Sequence, residues 1–351
     1  MSQTILVTGA NGYVALHVIK RALAEGFQVI GTVRSALAAS KVKAIFPNKS
    51  TALILTQIHN ITEAESFEQA FTLAPITAVI NTASPLINDP LDVRADVLDP
   101  AIQSGVAILK AVSRFGGSSC KRVIHVSSFT ACRDLSLGNA PGKVFTPNDW
   151  NPLTYEEAAD GGNMTAYMGS KALAERSMWD WMRENKASFD FVSVNPSAIF
   201  GPHVGSVDLD NLNVSTRMLW ELVVPSPNPT PYNSRHLGSW VDVRDVAAAL
   251  LQAVKVPEAG GERFLAAQRC HWQLIRDKTR ELFPELARRI DAGEPGSWEA
   301  ARDSTYNVDG SKVQKLLSIQ YRTIEECLRD AYSQLLEAEK QEQAATSTHT
   351  E

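Results

Sequence analysis

The segment AYMGSKALAER, residues 166–176, sets Tyr167 four residues ahead of Lys171. A helix through it carries both on one face, one turn apart. Alone, such a pair is a common coincidence. A phenol beside an ammonium group can nevertheless do proton chemistry. Free tyrosine has a pKa of about 10, and a nearby cation favours the phenolate and brings that value toward neutrality. Such a phenol can pass a proton to an oxygen that gains charge as a carbonyl is reduced. A second hydrogen-bond donor is expected at a neighbouring strand end, and KRVIHVSSFTA, residues 121–131, offers Ser127 and Ser128 where a strand should stop. Ser128, next to Phe129, is the choice. The competing account is that both serines only close the strand or start a turn.

A hydride donor must sit near these groups. In ILVTGANGYVALHVIKRAL, Gly9 and Gly12 fall between the end of a strand and the opening of a helix. A G-x-x-G-x-x-G spacing supplies a tight turn, close backbone approach to a pyrophosphate and close helix packing, with the diphosphate at the positive helix end. Ala15 takes the third place, so the next smallest side chain fills the packing role. Gly9, Asn11, Gly12, Tyr13 and Val14 are the expected contacts. The strand-turn-helix-strand order over residues 5–33 is the context the motif requires, which favours nucleotide binding over a plain turn.

NAD-preferring sites carry an acid about twenty residues past the glycines, to bond the ribose hydroxyls. Between Glu25 and Glu63 there is no Asp or Glu, whereas Arg34 ends the second strand and Lys41 and Lys43 open the next helix. Positive charge there suits a 2'-phosphate, and the expected cofactor is NADP(H). The segment IHNIT, residues 58–62, is expected beside the adenine, with Asn60 and Ile61 as contacts and the Asn60 side-chain oxygen as an acceptor.

Strand-like runs at Ile5 to Val7, Gln28 to Thr32, Ala52 to Thr56, Thr77 to Asn81, Arg122 to Val126 and Phe189 to Asn195 alternate with helical patterns. This predicts an α/β fold, a Rossmann-type doubly wound parallel sheet, with a smaller α+β carboxyl-terminal substrate domain. Residues 1–199 plus 238–258 are assigned to the dinucleotide domain and 200–237 plus 259–339 to the substrate part. VVPSPNPTPYN, residues 223–233, reads as loop, and SWVDVRDVAAALLQAV, residues 239–254, as a strand and a helix capped by Asp242 or Asp245. The polar residues 340–351 are expected to be disordered.

Apolar residues make up 44% of the 351, charged residues 21%, and the net charge is −5. That balance fits a soluble globular protein and gives no basic field for nucleic acid. No leader or membrane span is read, so the expected location is cytoplasmic. Cys120, Cys132, Cys270 and Cys327 lack metal or disulfide spacing, the histidines are dispersed, and no metal is expected. The expected partner is a small carbonyl compound, and the expected assembly a monomer or homodimer.

Taken together, VTGANGYVALHV, GTVRS, NTASP, VSSF, DWNPLTYEEA, AYMGSKALAE, NPSAIFGP and DVRDVAAA resemble the extended short-chain dehydrogenase/reductase superfamily. Within it they are most similar to NADPH-dependent reductases grouped with dihydroflavonol reductase, cinnamoyl-CoA reductase, the yeast methylglyoxal (3-methylbutanal) reductase and fungal ketoreductases. Ala15 is a feature of that branch. The resemblance implies that Ser128, Tyr167 and Lys171 form the catalytic triad and that Arg34 and Lys41 take the 2'-phosphate. It further implies that Thr82, Ala83 and Ser84 line the nicotinamide ribose, that Pro196 fixes the carboxamide, and that Ser215 belongs to the cofactor contacts. Two residues depart from the pattern: Asn60 where many relatives have Asp, and Ser104 where they often have Asn.

Leu86, Phe129, Arg133, Ala198, His203 and the surroundings of Trp220 are the candidate substrate walls. Leu86, Phe129 and Ala198 favour an aliphatic or aromatic ketone or aldehyde, while Arg133 would welcome an acidic or enolic group. The reading is an NADPH-dependent carbonyl reductase, including a ketoreductase of fungal secondary metabolism. A sugar-nucleotide epimerase or dehydratase on the same scaffold is the first alternative, disfavoured by the acid-free stretch. A non-catalytic sensor of NADP redox state is the second, disfavoured by the presence of Tyr167 and Lys171.

Overall fold

The computed structural model describes residues 3–85, 90–224 and 237–348. Seven strands form one parallel sheet: β1 (Thr4–Thr8), β2 (Gln28–Val33), β3 (Leu53–Gln57), β4 (Ala78–Asn81), β5 (Arg122–Val126), β6 (Asp190–Pro196) and β7 (Arg263–Ala266). Their order is β7-β6-β5-β4-β1-β2-β3. The strand order reverses between β1 and β4, and in such sheets the ligand crevice opens at the carboxyl ends of those two strands.

Helices cover both faces, which is why β1 and β4 are buried along their whole length and read as continuous apolar runs. On one face, Val18, Ile19 and Ala22 of the helix Tyr13–Ala24 share a core with Val246, Leu250 and Leu251 of the helix Val243–Lys255. On the other, Ile108, Leu109 and Val112 of the helix Asp99–Phe115 pack with Met178 of the helix Gly162–Asn185. A second core, containing Phe200, Leu219, Trp240, Trp272, Leu328 and Tyr332, organises the carboxyl-terminal part. A small sheet, in the order Gln268–Arg269, Ser239–Asp242, Ala198–Phe200, adjoins it.

Two features depart from the sequence expectations. The segment Arg263–Ala266, assigned to the substrate part, extends the main sheet by pairing with Ser193–Pro196. Its four residues begin with an arginine whose side chain is buried in an ion pair, so it lacks an apolar strand signal. The last helix runs from Ile324 to Thr348, across a tail expected to be disordered from residue 340. Residues 341–345 bury nothing, as their polarity implies, but good helix formers there carry the backbone on. Of the two candidate caps, Asp242 caps the helix Val243–Lys255, accepting from the Arg244 amide, while Asp245 accepts from the backbone amide of Arg322 at 2.7 Å. The proline-rich loop lies largely outside the described residues. Among those described, no helix is long and apolar enough to cross a membrane.

Candidate active site

The glycine turn is built to admit an anion. Gly9 has φ +64°, and a Cβ there would lie 3.2 Å from the Ala83 Cα, so the turn after β1 and the one after β4 touch backbone to backbone. Gly12 precedes the helix Tyr13–Ala24, which has no side-chain cap and no acid in its first turn. Its leading amides are therefore free for phosphate oxygens, and a dinucleotide diphosphate fits this cradle. Thr8 braces it: its hydroxyl donates to Asn81 Oδ1 at 2.6 Å and accepts from the amides of Thr82 and Ala83 at 3.1 and 3.0 Å. The Tyr13 ring turns away, donating its hydroxyl to the Gly201 carbonyl.

Tyr167 and Lys171 lie in the helix Gly162–Asn185, where both are half-buried, and the Lys171 Nζ is 5.8 Å from the Tyr167 ring centroid. Gly169 lets this helix approach its neighbour Tyr155–Asp160, for a Cβ there would meet the Ala158 Cβ at 2.3 Å. Lys171 donates to Ser84 Oγ at 2.8 Å, which ties the helix to the turn after β4. Ser128 stands just beyond β5 and hydrogen-bonds the Tyr167 phenol. Its Oγ accepts from the Thr130 amide at 3.1 Å and the Thr130 hydroxyl at 2.9 Å, so the single Ser128 proton is left to donate elsewhere. The structure thus brings Ser84, Ser128, Tyr167 and Lys171 together at the carboxyl ends of β4 and β5.

Burial dominates the electrostatics of the pair. Burial pushes the Tyr167 phenol above its ordinary value, and the Ser128 hydrogen bond only partly opposes this. Lys171 is pushed down to about 8 by burial. A phenol above its ordinary pKa holds its proton at neutral pH, which is the form a proton donor needs.

The remaining sequence candidates are distributed as follows. Arg34 is exposed directly after β2 and has no carboxylate partner among the described residues. Lys41 is exposed in the following helix, near Asp208, whose carboxyl is held below its ordinary value chiefly by the Asn211 amide and in small part by Lys41. The Asn60 Oδ1 already accepts from the Thr62 amide and hydroxyl, at 3.0 and 2.8 Å, so its acceptor capacity is largely taken within its own turn. Ile61 packs against the core beside it. Pro196 ends β6, and the hydroxyl of Ser215 accepts from the Asn213 amide group at 2.9 Å.

Phe129 packs on Phe145 and Tyr306, and the Arg133 guanidinium lies 4.7 Å from the Tyr306 ring centroid. Arg133 Nε is buried with no acceptor among the described residues. Ala198 is half-buried against the second core. His203 lies tilted against Tyr13, with ring centroids 4.8 Å apart, and its Nε2 meets the Thr216 hydroxyl at 3.2 Å. Leu86 lies outside the described residues. The Ser104 hydroxyl bonds the Ala101 carbonyl of its own helix and does not reach the site.

Sequence reasoning missed the polar layer beneath these groups. Asn81 Nδ2 meets the ring of His125 at 3.1 Å, and burial lowers His125 to about 4, which keeps it neutral. Asn195, Glu175 and Arg263 form a second group below Ser128. The one available signal was Glu175, four residues after Lys171 and so on the same helical face.

The chain is similar to known proteins over nearly its whole length. The profile of the "NAD dependent epimerase/dehydratase family" matches residues 5–267. The NADPH-dependent methylglyoxal reductase GRE2 of Saccharomyces cerevisiae is 32% identical over 342 residues, which cover 96% of this chain and 99% of that protein. The ketoreductase azaE of Aspergillus niger is 29% identical, covering 96% of this chain and 98% of its own. The crystal structure of the yeast methylglyoxal/isovaleraldehyde reductase Gre2 complexed with NADPH superposes with a TM-score of 0.89 at 32% identity, covering 96% of this chain and 99% of that one. A Bacillus anthracis dTDP-glucose 4,6-dehydratase, 15% identical with a TM-score of 0.70, shares the fold alone. With its seven-stranded sheet, its glycine turn and a profile match over most of its length, this chain belongs to the NAD dependent epimerase/dehydratase family.

Proposed function

We propose that the protein is an NADPH-dependent carbonyl reductase in which Tyr167 supplies the proton, Ser128 binds the substrate oxygen and Lys171 holds the nicotinamide ribose. The observation that carries this reading is the convergence of Ser128, Tyr167 and Lys171 beside the glycine turn. Bound NADPH supplies the hydride. Residues 9–14 would hold its diphosphate, Arg34 and Lys41 its 2'-phosphate, Thr82 to Ser84 its ribose, and Pro196 and Ser215 its far end; Asn60 and Ile61 would flank the adenine.

Ser128, with its acceptor side filled by Thr130, holds its one proton on the Tyr167 phenol and would turn it to the carbonyl oxygen when substrate arrives, orienting that oxygen. Tyr167, kept protonated by burial, gives its proton to that oxygen as charge develops there. Phe129, packed on Phe145 and Tyr306, would give the substrate an apolar side that suits a ketone or aldehyde, and the neighbouring Arg133 would welcome an acidic or enolic substituent. The likeness to a protein named a ketoreductase supports a ketone as substrate, and a ketone of fungal secondary metabolism is the finer form of this reading. A cytoplasmic monomer or homodimer is part of the same reading.

The test is direct. Purified protein with NADPH and a panel of ketones and aldehydes should lose absorbance at the reduced-nicotinamide band. No loss with any of them, under conditions where NADPH binds, would reject the reading.

A further inference from the structure

Beneath Ser128 lies a charged network that none of the roles above uses. Glu175 is fully enclosed, and its carboxylate takes the Arg263 Nε at 2.6 Å, the Ser127 hydroxyl at 2.6 Å and the Asn195 Nδ2 at 2.6 Å. Burial pushes the Glu175 carboxyl up, but the Arg263 charge and these hydrogen bonds outweigh it and keep the group ionised. The Asn195 Nδ2 also lies 3.1 Å from the Ser128 carbonyl. Arg263 donates to the Ala131 carbonyl at 3.2 Å and to those of Pro147 and Asp149, and its guanidinium stacks 3.7 Å from the Trp150 ring centroid. Asn151 adds a donor to the Thr130 carbonyl at 2.9 Å.

The carbonyls of Ser128, Thr130 and Ala131 are therefore each gripped from below. This is the turn that carries the Ser128 and Thr130 hydroxyls. A buried ion pair is a poor source of stability, because its desolvation cost rivals its attraction, and apolar replacements of equal volume do as well or better. Holding a defined geometry is the use that remains. The pairing also settles a choice along the helix: Glu175 is one turn from Lys171 and would compete for its ammonium, but Arg263 neutralises it and Lys171 is left to Ser84.

We propose that Glu175, Arg263 and Asn195 are positioning residues that act through Ser128, with the ion pair fixing the Asn195 amide against the Ser128 carbonyl so that the Ser128 hydroxyl keeps its bearing on Tyr167. The inference rests on the reductase reading.

A double-mutant cycle on the full-length protein tests it, with kcat for NADPH-driven carbonyl reduction, the NADPH Kd and the melting temperature measured for each variant. Asn195→Ala should lower kcat about ten- to a hundredfold in the wild-type background, the scale of a misplaced reacting group. In a Ser128→Ala background it should cost less than about twofold, because residues acting as one unit are not additive. NADPH affinity should be unchanged in both, and Glu175→Gln should repeat the pattern. An equal fold-loss in the two backgrounds, or no loss in either, overturns the proposal. If Asn195→Ala does not fold, Asn195→Ser runs the same cycle; if neither folds, the network is a folding element and the proposal is overturned. Wild-type protein that binds NADPH but turns it over with none of the carbonyl compounds rejects the reductase reading instead, a separate outcome.

Discussion

The ammonium of Lys171 reaches Ser84 Oγ at 2.8 Å while lying 5.8 Å from the ring centroid of Tyr167, one helical turn away. That bond ties the helix carrying the phenol to the strand end beside the glycine turn, so one cation serves both halves of the site. Burial at this position lowers Lys171 to about 8.

Below pH 8 Lys171 is protonated in both the folded and the unfolded chain, and the penalty for enclosing its charge is fully present. Between about pH 8 and the unfolded value of about 10.4, the unfolded chain binds the extra proton and stability rises with pH. Urea denaturation without cofactor, from pH 7 to 10.5, should show Lys171→Met more stable than wild type near pH 7, with the difference shrinking as pH rises through that window. A pH-independent difference would contradict it.

Arg34 is exposed at the end of β2 and free of carboxylates among the described residues, as a phosphate ligand should be. Arg34→Ala should raise the KM for NADPH about ten- to a hundredfold, the worth of one charge-assisted contact, and leave the KM for NADH nearly unchanged. Steady-state kinetics with both nucleotides checks this. Equal losses with both would mean that Arg34 does not read the 2'-phosphate.

Gly169 sits between Tyr167 and Lys171 on the side of the helix that meets Ala158. Gly169→Ala drives a methyl into a methyl with no flexible side chain to yield. About 1–3 kcal/mol of stability should be lost, on the scale of overpacking elsewhere. Because the helix must shift to accommodate it, kcat should fall as well. Thermal melts and kinetics on one preparation separate the two effects.

Arg133 rests on the Tyr306 ring with its Nε unsatisfied. Arg133→Leu should lower kcat/KM at least about tenfold for carbonyl substrates bearing a carboxylate or acidic enol, and leave neutral aliphatic ketones within about threefold. A uniform loss across the panel would make Arg133 a packing residue of the Phe129 cluster.

Much of this architecture is legible in the sequence because it rests on local signals. Six of the seven sheet strands announce themselves as apolar runs, and Gly9, Gly12, Tyr167 and Lys171 are marked by short fixed spacings. Ser128 needed only the end of a strand. What escaped depends on contacts between distant segments. The strand Arg263–Ala266 hides a buried arginine whose partner, Glu175, is 88 residues away. Thr8, Asn81 and His125 look ordinary in sequence, since nothing local says that three strand ends will meet. The Asn60 side-chain oxygen, an expected adenine contact, bonds Thr62 within its own turn, and His203, a candidate substrate wall, lies against Tyr13, neither of which the sequence signals.

The measurement that bears most directly on the account compares Tyr167→Phe with wild type in NADPH binding and in carbonyl reduction, on the same preparations. Removing one hydroxyl should reduce kcat by at least about a hundredfold, the contribution of a positioned general acid, while the NADPH Kd stays within about threefold of wild type. Turnover within a few-fold of wild type would show that the proton comes from another group, and the central role given to Tyr167 would be wrong.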